Sequence, residues 1–377
     1  MPPAPAALDL FSGTGGIAYA LRGGLAAPVA YCEIDPDATR ILQANMARGH
    51  IPRAPVHPDV CALDPTPLPP IELVTAGFPC TGFSVAGRHD GFANPASGLF
   101  HRVVELAERL RPPLLFLENT PDIVNRGLDV LVAELHGRLG YALRWVVIPA
   151  YLVGAPQTRM RWYCLAVRPG YARAFTLAPT PPFDWTGPAP ARMVPVGSSE
   201  SRAVTKRMRA LGNGIVPDAV RLAFLFLVSG GRVRALDAHD VTVHLQPMDA
   251  SLSPVPSRMC PRCGCVDGSS RYGFNYPAPV PPPDFGLRLT PAGSAPATNP
   301  SISTKVIEGD LPLRMWSTPR FKNRGANKTL TFRGAQDLGT QMKFEAGTPV
   351  AHRGAGFVAS VTFVEWLMGF PRDFTLF

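Results

Sequence analysis

No uninterrupted apolar run in this chain of 377 residues reaches the length of a membrane span. Its longest apolar run, residues 222–228, falls far short of the ~20 residues a spanning helix needs. The start, Met1-Pro2-Pro3-Ala4-Pro5, has neither the charged residues nor the apolar stretch of a signal peptide. A soluble, intracellular protein is therefore expected. A disulfide framework is missing too. The seven cysteines are odd in number. Cys32, Cys61, Cys80 and Cys164 stand singly, and only Cys260, Cys263 and Cys265 cluster, which leaves reactive or metal-binding thiols as the alternatives. Internal repeats are absent. Acidic residues are in short supply, 28 against 37 Lys and Arg, for a net charge of +9.

What is there is a core-forming composition, 46% hydrophobic, enough for one large domain or two. Much of the positive excess lies in residues 258–353, with 13 Lys/Arg against 6 Asp/Glu. That stretch is either a solvated basic surface or a contact for a polyanion. The 43 prolines concentrate around residues 179–195 and 277–291, which read as stiff linkers or surface loops.

The first half alternates strand-like and helix-like patterns. Apolar runs at 6–11, 28–34, 71–76, 114–117, 145–148 and 162–167 read as strands. Residues 37–46 read as a helix, and Leu99, Val103, Leu106 and Leu110 recur at helical spacing until Arg111-Pro112-Pro113 stops the pattern. Such alternation predicts an α/β fold, a mostly parallel sheet with helices on both faces, whose ligands bind beyond the carboxyl ends of the strands. Beyond about residue 169 the periodicity weakens, apart from helical patterns at 217–228 and 363–371.

Four motifs fall at those strand ends. Asp9-Leu10-Phe11-Ser12-Gly13-Thr14-Gly15-Gly16 takes a strand into a glycine turn that opens a helix, and Glu33 follows about 20 residues on, where an acid would bind ribose hydroxyls. The alternative is a tight turn beside a surface acid. Phe78-Pro79-Cys80 follows the strand at 71–76, so Cys80 is either an accessible nucleophile or a buried, inert thiol. Glu118-Asn119 follows the run at 114–117. Its carboxylate is either partly desolvated and chemically active, or a helix cap. Gln157-Thr158-Arg159-Met160-Arg161 sets two arginines at i and i+2 of an extended segment, projecting the same way toward phosphate or carbonyl groups, or toward solvent.

Read together and in order, these motifs resemble those of the DNA cytosine-5 methyltransferase family. Residues 9–16 look like its Phe-x-Gly-x-Gly-Gly cofactor motif, Phe78-Pro79-Cys80 like its catalytic loop, and Glu118-Asn119 like its Glu-Asn-Val motif, with Thr120 in place of Val. Gln157-x-Arg159-x-Arg161 is similar to its Gln-x-Arg-x-Arg motif, Gly212-Asn213-Gly214 to its Gly-Asn motif, and residues 362–371 to its segment ending Gly-Phe-Pro. The resemblance implies a Rossmann-like catalytic domain binding S-adenosylmethionine through Phe11, Ser12, Gly13, Gly15, Gly16, Glu33, Ile34, Asp59, Phe78, Leu99 and Asn213. It implies Cys80 as nucleophile, Glu118 at the base, and Arg159 and Arg161 holding a cytosine flipped from duplex DNA.

The chain departs from that family pattern in three places. Gly212-Asn213 precedes Gly369-Phe370-Pro371, an order that looks permuted. This implies a catalytic domain at 1–229, a target-recognition region at 230–361, and a C-terminal segment at 362–377 that packs back at the domain junction. Within the recognition region, residues 316–320 and 321–328 are candidate DNA-facing loops. Thr81 replaces the usual Gln after the cysteine. Cys260-Pro261-Arg262-Cys263-Gly264-Cys265 looks like half a zinc knuckle needing His239 or His244 as a further ligand, or a tight turn with free thiols, and no bound metal is expected. Double-stranded DNA is the expected partner of a monomeric enzyme. Two alternatives stay open: a tRNA methylase with a related Pro-Cys loop, and a non-catalytic nucleic-acid-binding relative.

Overall fold

Strands that are apolar on both sides need cover on both sides, and the centre of this molecule meets that need. A computed structural model describes residues 3–80, 92, 94–95, 97–157, 159–190, 193–195, 201–233, 236, 242–248 and 357–377. Within it, β1 (Ala6–Leu10), β2 (Ala27–Cys32), β3 (Val56–His57), β4 (Leu73–Gly77), β5 (Leu114–Asn119), β6 (Ala142–Pro149) and β7 (Met160–Val167) form one sheet in the order β3-β2-β1-β4-β5-β7-β6. Helices α1 (Gly16–Ala20), α2 (Pro36–Ala47), α3 (Leu99–Leu110), α4 (Ile123–Arg126) and α5 (Leu128–Val132) connect the strands. One apolar cluster gathers Ile17 of α1 with the far-C-terminal residues Phe363 and Leu367. A second, on different strand residues, gathers Phe100, Val103 and Leu131. Helices thus cover both faces, as the alternating pattern requires.

The sheet departs from a purely parallel one at β7, which runs antiparallel to both β5 and β6. The connection from β6 to β7 is residues 150–159, including a short 3-10 turn (Ala150–Val153). It is shorter than the dozen or more residues that a crossover to a parallel neighbour takes, so the chain turns back as a hairpin.

Local chemistry sets the helix ends. Asp35 caps α2, accepting from the amides of Asp37 and Ala38, with Pro36 at the first helical position. Helix α3 ends on Arg111 in the left-handed region (φ 48°), immediately before the two prolines.

Past residue 169 the elements are small. β8 (Arg173–Thr176) pairs with β10 (Thr242–Leu245), and β9 (Met193–Pro195) pairs with β11 (Phe357–Ala359). Helices α6 (Ser201–Asn213), α7 (Pro217–Val228) and α8 (Val361–Met368) complete the fold. Lys206–Val228 is the one stretch among the described residues long and apolar enough to cross a membrane, and 83% of it is buried inside the chain, as a core helix would be. The last residues are fastened to α6 and to Trp185. Buried Glu365 accepts from Arg207 at 3.0 Å and from the amide of Thr375 at 2.8 Å, and the Trp185 indole donates to the Trp366 carbonyl. Gly369 closes α8 with φ 73°, where a Cβ would lie 2.6 Å from the Trp185 ring, so only glycine fits.

Candidate active site

The carboxyl ends of β1, β4 and β5 meet at the point where the chain stops adding strands on one side of β1 and starts on the other. Leu10 is level with Ala76, and Gly77 with Glu118. In open α/β sheets this crevice receives ligands.

The glycine turn follows β1. Phe11, Gly13 and Gly15 all have positive φ (55°, 55° and 85°), a rare conformation for a phenylalanine and a free one for glycine. Gly15 also backs onto Ile51 and Leu42, where a Cβ would collide. Ser12 ties the turn to both strands, its Oγ donating to the Asp9 carbonyl of β1 at 2.7 Å and accepting from the Cys32 amide of β2 at 3.3 Å. The Gly13 amide donates to Glu33 Oε2 at 2.7 Å, and the Asp35 amide to the other carboxylate oxygen. Burial raises the Glu33 carboxyl above its ordinary range, against those amide bonds. Ile34 next to it is 74% exposed, an unusual place for a large aliphatic side chain unless it covers something. Asp59 lies two residues past β3, partly buried, with Oδ1 accepting from the Cys61 amide. Gly16 packs under Ile215, which brings exposed Asn213 and its turn alongside the glycine loop.

Cys80 is half-buried, three residues past β4. Its loop is held from two sides. Asn119 Nδ2 donates to the Phe78 carbonyl at 3.2 Å, and buried Ser97 donates to the Pro79 carbonyl at 3.1 Å. Phe78 is itself buried, its ring 5.3 Å from that of Phe100, and Leu99 at the start of α3 packs against the same cluster. Glu118 is only 8% exposed and accepts from Arg161 Nε at 3.0 Å. Burial raises its carboxyl, while Arg161 and then Arg159 pull the other way. The Cys80 thiol is raised first by burial and then by the Glu118 charge, and Arg161 opposes both. At one strand edge a guanidinium thus opposes the effect of burial on both an acid and a thiol.

The two arginines expected to act together are divided. Arg161 faces Glu118, while Arg159, 2% exposed, donates to the carbonyls of Gly212 (3.3 Å) and Gly214. Ser97, Asn45 and the roles of Asn119 and Gln157 were not legible from sequence. Asn45 is a buried helix residue whose amide donates to the Thr14 carbonyl of the glycine turn, and buried Gln157 donates to the Leu367 carbonyl at the end of α8. Cys260, Cys263 and Cys265, and Thr81, lie outside the described residues.

Asp9 supplies a pH test of this architecture. It is 1% exposed and accepts from Thr75 of β4, while its Oδ2 has no partner among the described residues. Burial pushes its carboxyl up to about 7 from an ordinary 3.8, with hydrogen bonds from Thr75 and Ser12 opposing. A raised acid stabilises the fold fully below the unfolded value, and that contribution is lost as pH rises through the folded value. Asp9→Asn is expected to flatten the decline in urea-unfolding stability between about pH 4 and pH 7, an effect of at most a few kcal/mol. An unchanged pH profile in the Asn variant would assign the decline to other groups.

Comparison with known proteins bears on what this edge does. The chain matches the C-5 cytosine-specific DNA methylase family over residues 6–221. It is 37% identical over 385 residues to the Type II methyltransferase M.CviJI of Paramecium bursaria Chlorella virus IL3A, covering 97% of this chain and 96% of that one. The Type II methyltransferase M.MspI of Moraxella sp is 36% identical over 42% of this chain and 38% of its own length. The crystal structure of S. pombe Dnmt2 methyltransferase aligns with 44% of this chain and 51% of its own at 24% identity and a TM-score of 0.35.

Proposed function

This chain belongs to the C-5 cytosine-specific DNA methylase family, and from that premise we propose that it methylates C5 of a cytosine flipped out of one short duplex sequence, through a transient Cys80–C6 bond. The observation that carries the proposal is the placement of Cys80 just past β4, with Glu118 and its Arg161 partner level with the end of that strand and the glycine turn on the strand beside it.

The residues present fit S-adenosylmethionine. Gly13 and Gly15 open the backbone to a ligand, Glu33 retains lone pairs for ribose hydroxyls beyond the two amides it accepts, and exposed Ile34 offers an apolar cover. Phe11, Ser12, Gly16, Asp59, Phe78, Leu99 and Asn213 would complete the pocket. When bound, the cofactor supplies an electrophilic methyl to C5.

The protein's own part is to make C5 able to accept it. Addition of the Cys80 thiolate to C6 pushes electron density onto C5, while Glu118 stabilises the charge developing at N3 and the 4-amino group. Arg161 orients Glu118 through the 3.0 Å pair. Loss of the C5 proton and departure of the Cys80 sulfur then restore the ring. Extruding the base costs a few kcal/mol, drawn from contacts to the DNA. Target recognition is assigned to residues 230–361, and the Gly212-Asn213 and Gly369-Phe370-Pro371 motifs are read as a permuted pair.

Bisulfite sequencing of DNA from cells expressing the full chain tests the reading. Protected cytosines in a single short motif are expected. Duplex DNA left unmethylated, with methyl transfer to tRNA instead, would favour the RNA-modifying alternative. Binding of DNA without consumption of S-adenosylmethionine would favour the non-catalytic one.

A further inference from the structure

We propose that Arg159 is a positioning residue of the cofactor site, acting through the turn that carries Asn213. The inference rests on the reading of Asn213 as a cofactor contact.

Arg159 and Arg161 flank the start of β7 and both charges bear on Glu118 and Cys80, yet the hydrogen bonds they make lead in different directions. Arg161 is directed to Glu118, on the substrate side. Arg159 donates from Nη2 to the carbonyls of Gly212 and Gly214, the two residues that bracket Asn213. Those carbonyls belong to the end of α6 and the turn after it, where backbone acceptors lack helical partners. A guanidinium presents several donors in a fixed plane and suits two converging carbonyls in a way that a lysine does not.

The turn is held from its other sides as well. Ile215, one residue on, presses under Gly16 so closely that a Cβ there would lie 2.8 Å from its Cγ1. Helix α6 is ion-paired to the start of α2 through Lys206–Asp37 (2.8 Å) and Arg209–Asp35 (3.5 Å), directly after Glu33 and Ile34. Asn213 is therefore carried across from the glycine loop by a turn clamped between a buried cation and the loop itself. Burial lowers the Arg159 pKa well below the ordinary arginine range, which measures how strongly the site disfavours an unpartnered charge. Such an arginine is kept in place by the carbonyls it serves.

The test separates affinity from turnover. Arg159→Lys and Arg159→Gln are expected to raise the S-adenosylmethionine KM, and the Kd of S-adenosylhomocysteine measured by calorimetry without DNA, by about 10- to 100-fold, the scale of losing hydrogen bonds to a charged donor. kcat is expected to change as well, because the Arg159 charge also bears on Cys80 and Glu118, so the cofactor Kd measured without DNA is the readout that decides. Arg161→Gln should lower kcat and leave the cofactor Kd nearly unchanged. Asn213→Ala should reproduce the Arg159 phenotype, and the double variant should be no worse than either single one, as expected when one residue acts through the other. An Arg159 variant with normal cofactor Kd and depressed kcat would overturn the inference. If the Arg159 variants fail to fold, unchanged cofactor affinity in Asn213→Ala overturns it alone, and a raised Kd supports it. Failure of the wild-type chain to bind S-adenosylhomocysteine would instead sink the cofactor reading.

Discussion

Replacing Cys80 with alanine is expected to abolish methyl transfer, with a loss on the order of 10⁴-fold or more, the scale seen when a covalent nucleophile is removed. The carbon to be methylated is a poor nucleophile in an aromatic ring, and among the described residues Cys80 is the thiol placed just past β4. Glu118 is engaged by Arg161, and of the other cysteines near the sheet, Cys32 and Cys164 are buried. Burial, then the negative charge of Glu118, raise the Cys80 thiol above its ordinary range, opposed by Arg161, a backbone hydrogen bond and Arg159. Activity should therefore climb with pH as the thiolate population grows. A second readout isolates the covalent step. DNA carrying 5-fluorocytosine at the target should leave the wild-type protein bonded to the base after methyl transfer, because fluorine cannot depart as a proton does and the sulfur cannot be eliminated. The alanine variant should form no such adduct while still binding cofactor and DNA. A denaturation-resistant adduct in the Ala variant would move the nucleophile elsewhere.

The strands were legible because β1, β4 and β5 are apolar on both faces, and a continuous buried run survives translation into sequence. The site residues at their ends were legible for the same reason. Once a strand's end is known, the glycine turn, Cys80 and Glu118 must share an edge. The reversal of β7 was not legible, since a buried strand reads alike in either direction and only the length of the 150–159 connection reveals it. The supports were hidden more deeply. Asn45, Ser97 and Asn119 each donate one hydrogen bond to a carbonyl of a catalytic loop, and such a bond depends on tertiary neighbours that no periodicity encodes. Arg159 and Arg161 share a spacing that suggested a shared task, and their division follows from where the Gly212–Gly214 turn folds back, more than 50 residues later.

Glu118→Gln is expected to lower kcat by roughly 10²- to 10³-fold, the cost of losing one preorganised electrostatic partner of a developing charge. The glutamine keeps the shape and can still hydrogen-bond the base. It has no acidic proton to share with the ring nitrogen and no charge for Arg161 to orient against. Cofactor affinity should change little, because the glycine turn, Glu33 and Ile34 follow the ends of β1 and β2, and Glu33 is held by the amides of Gly13 and Asp35. The pH dependence carries the sharper signature. Burial raises the Glu118 carboxyl, with Arg161 and Arg159 opposing, so its acidic form persists to higher pH than an exposed glutamate allows. Wild-type kcat should rise with pH as Cys80 ionises, held back by the Glu118 charge, which is among the causes that raise the thiol. The Gln variant carries no such charge, so its smaller residual activity should begin to rise at lower pH. Stability gives the control. A raised acid contributes stability below its unfolded value and forfeits it as pH climbs through the folded one, so the neutral amide should leave the midpoint of urea unfolding near pH 8 no lower than wild type. A Gln variant that unfolds at lower urea would show that Glu118 holds the fold together, and one whose rate rises at the same pH as wild type would show that its charge does not bear on Cys80.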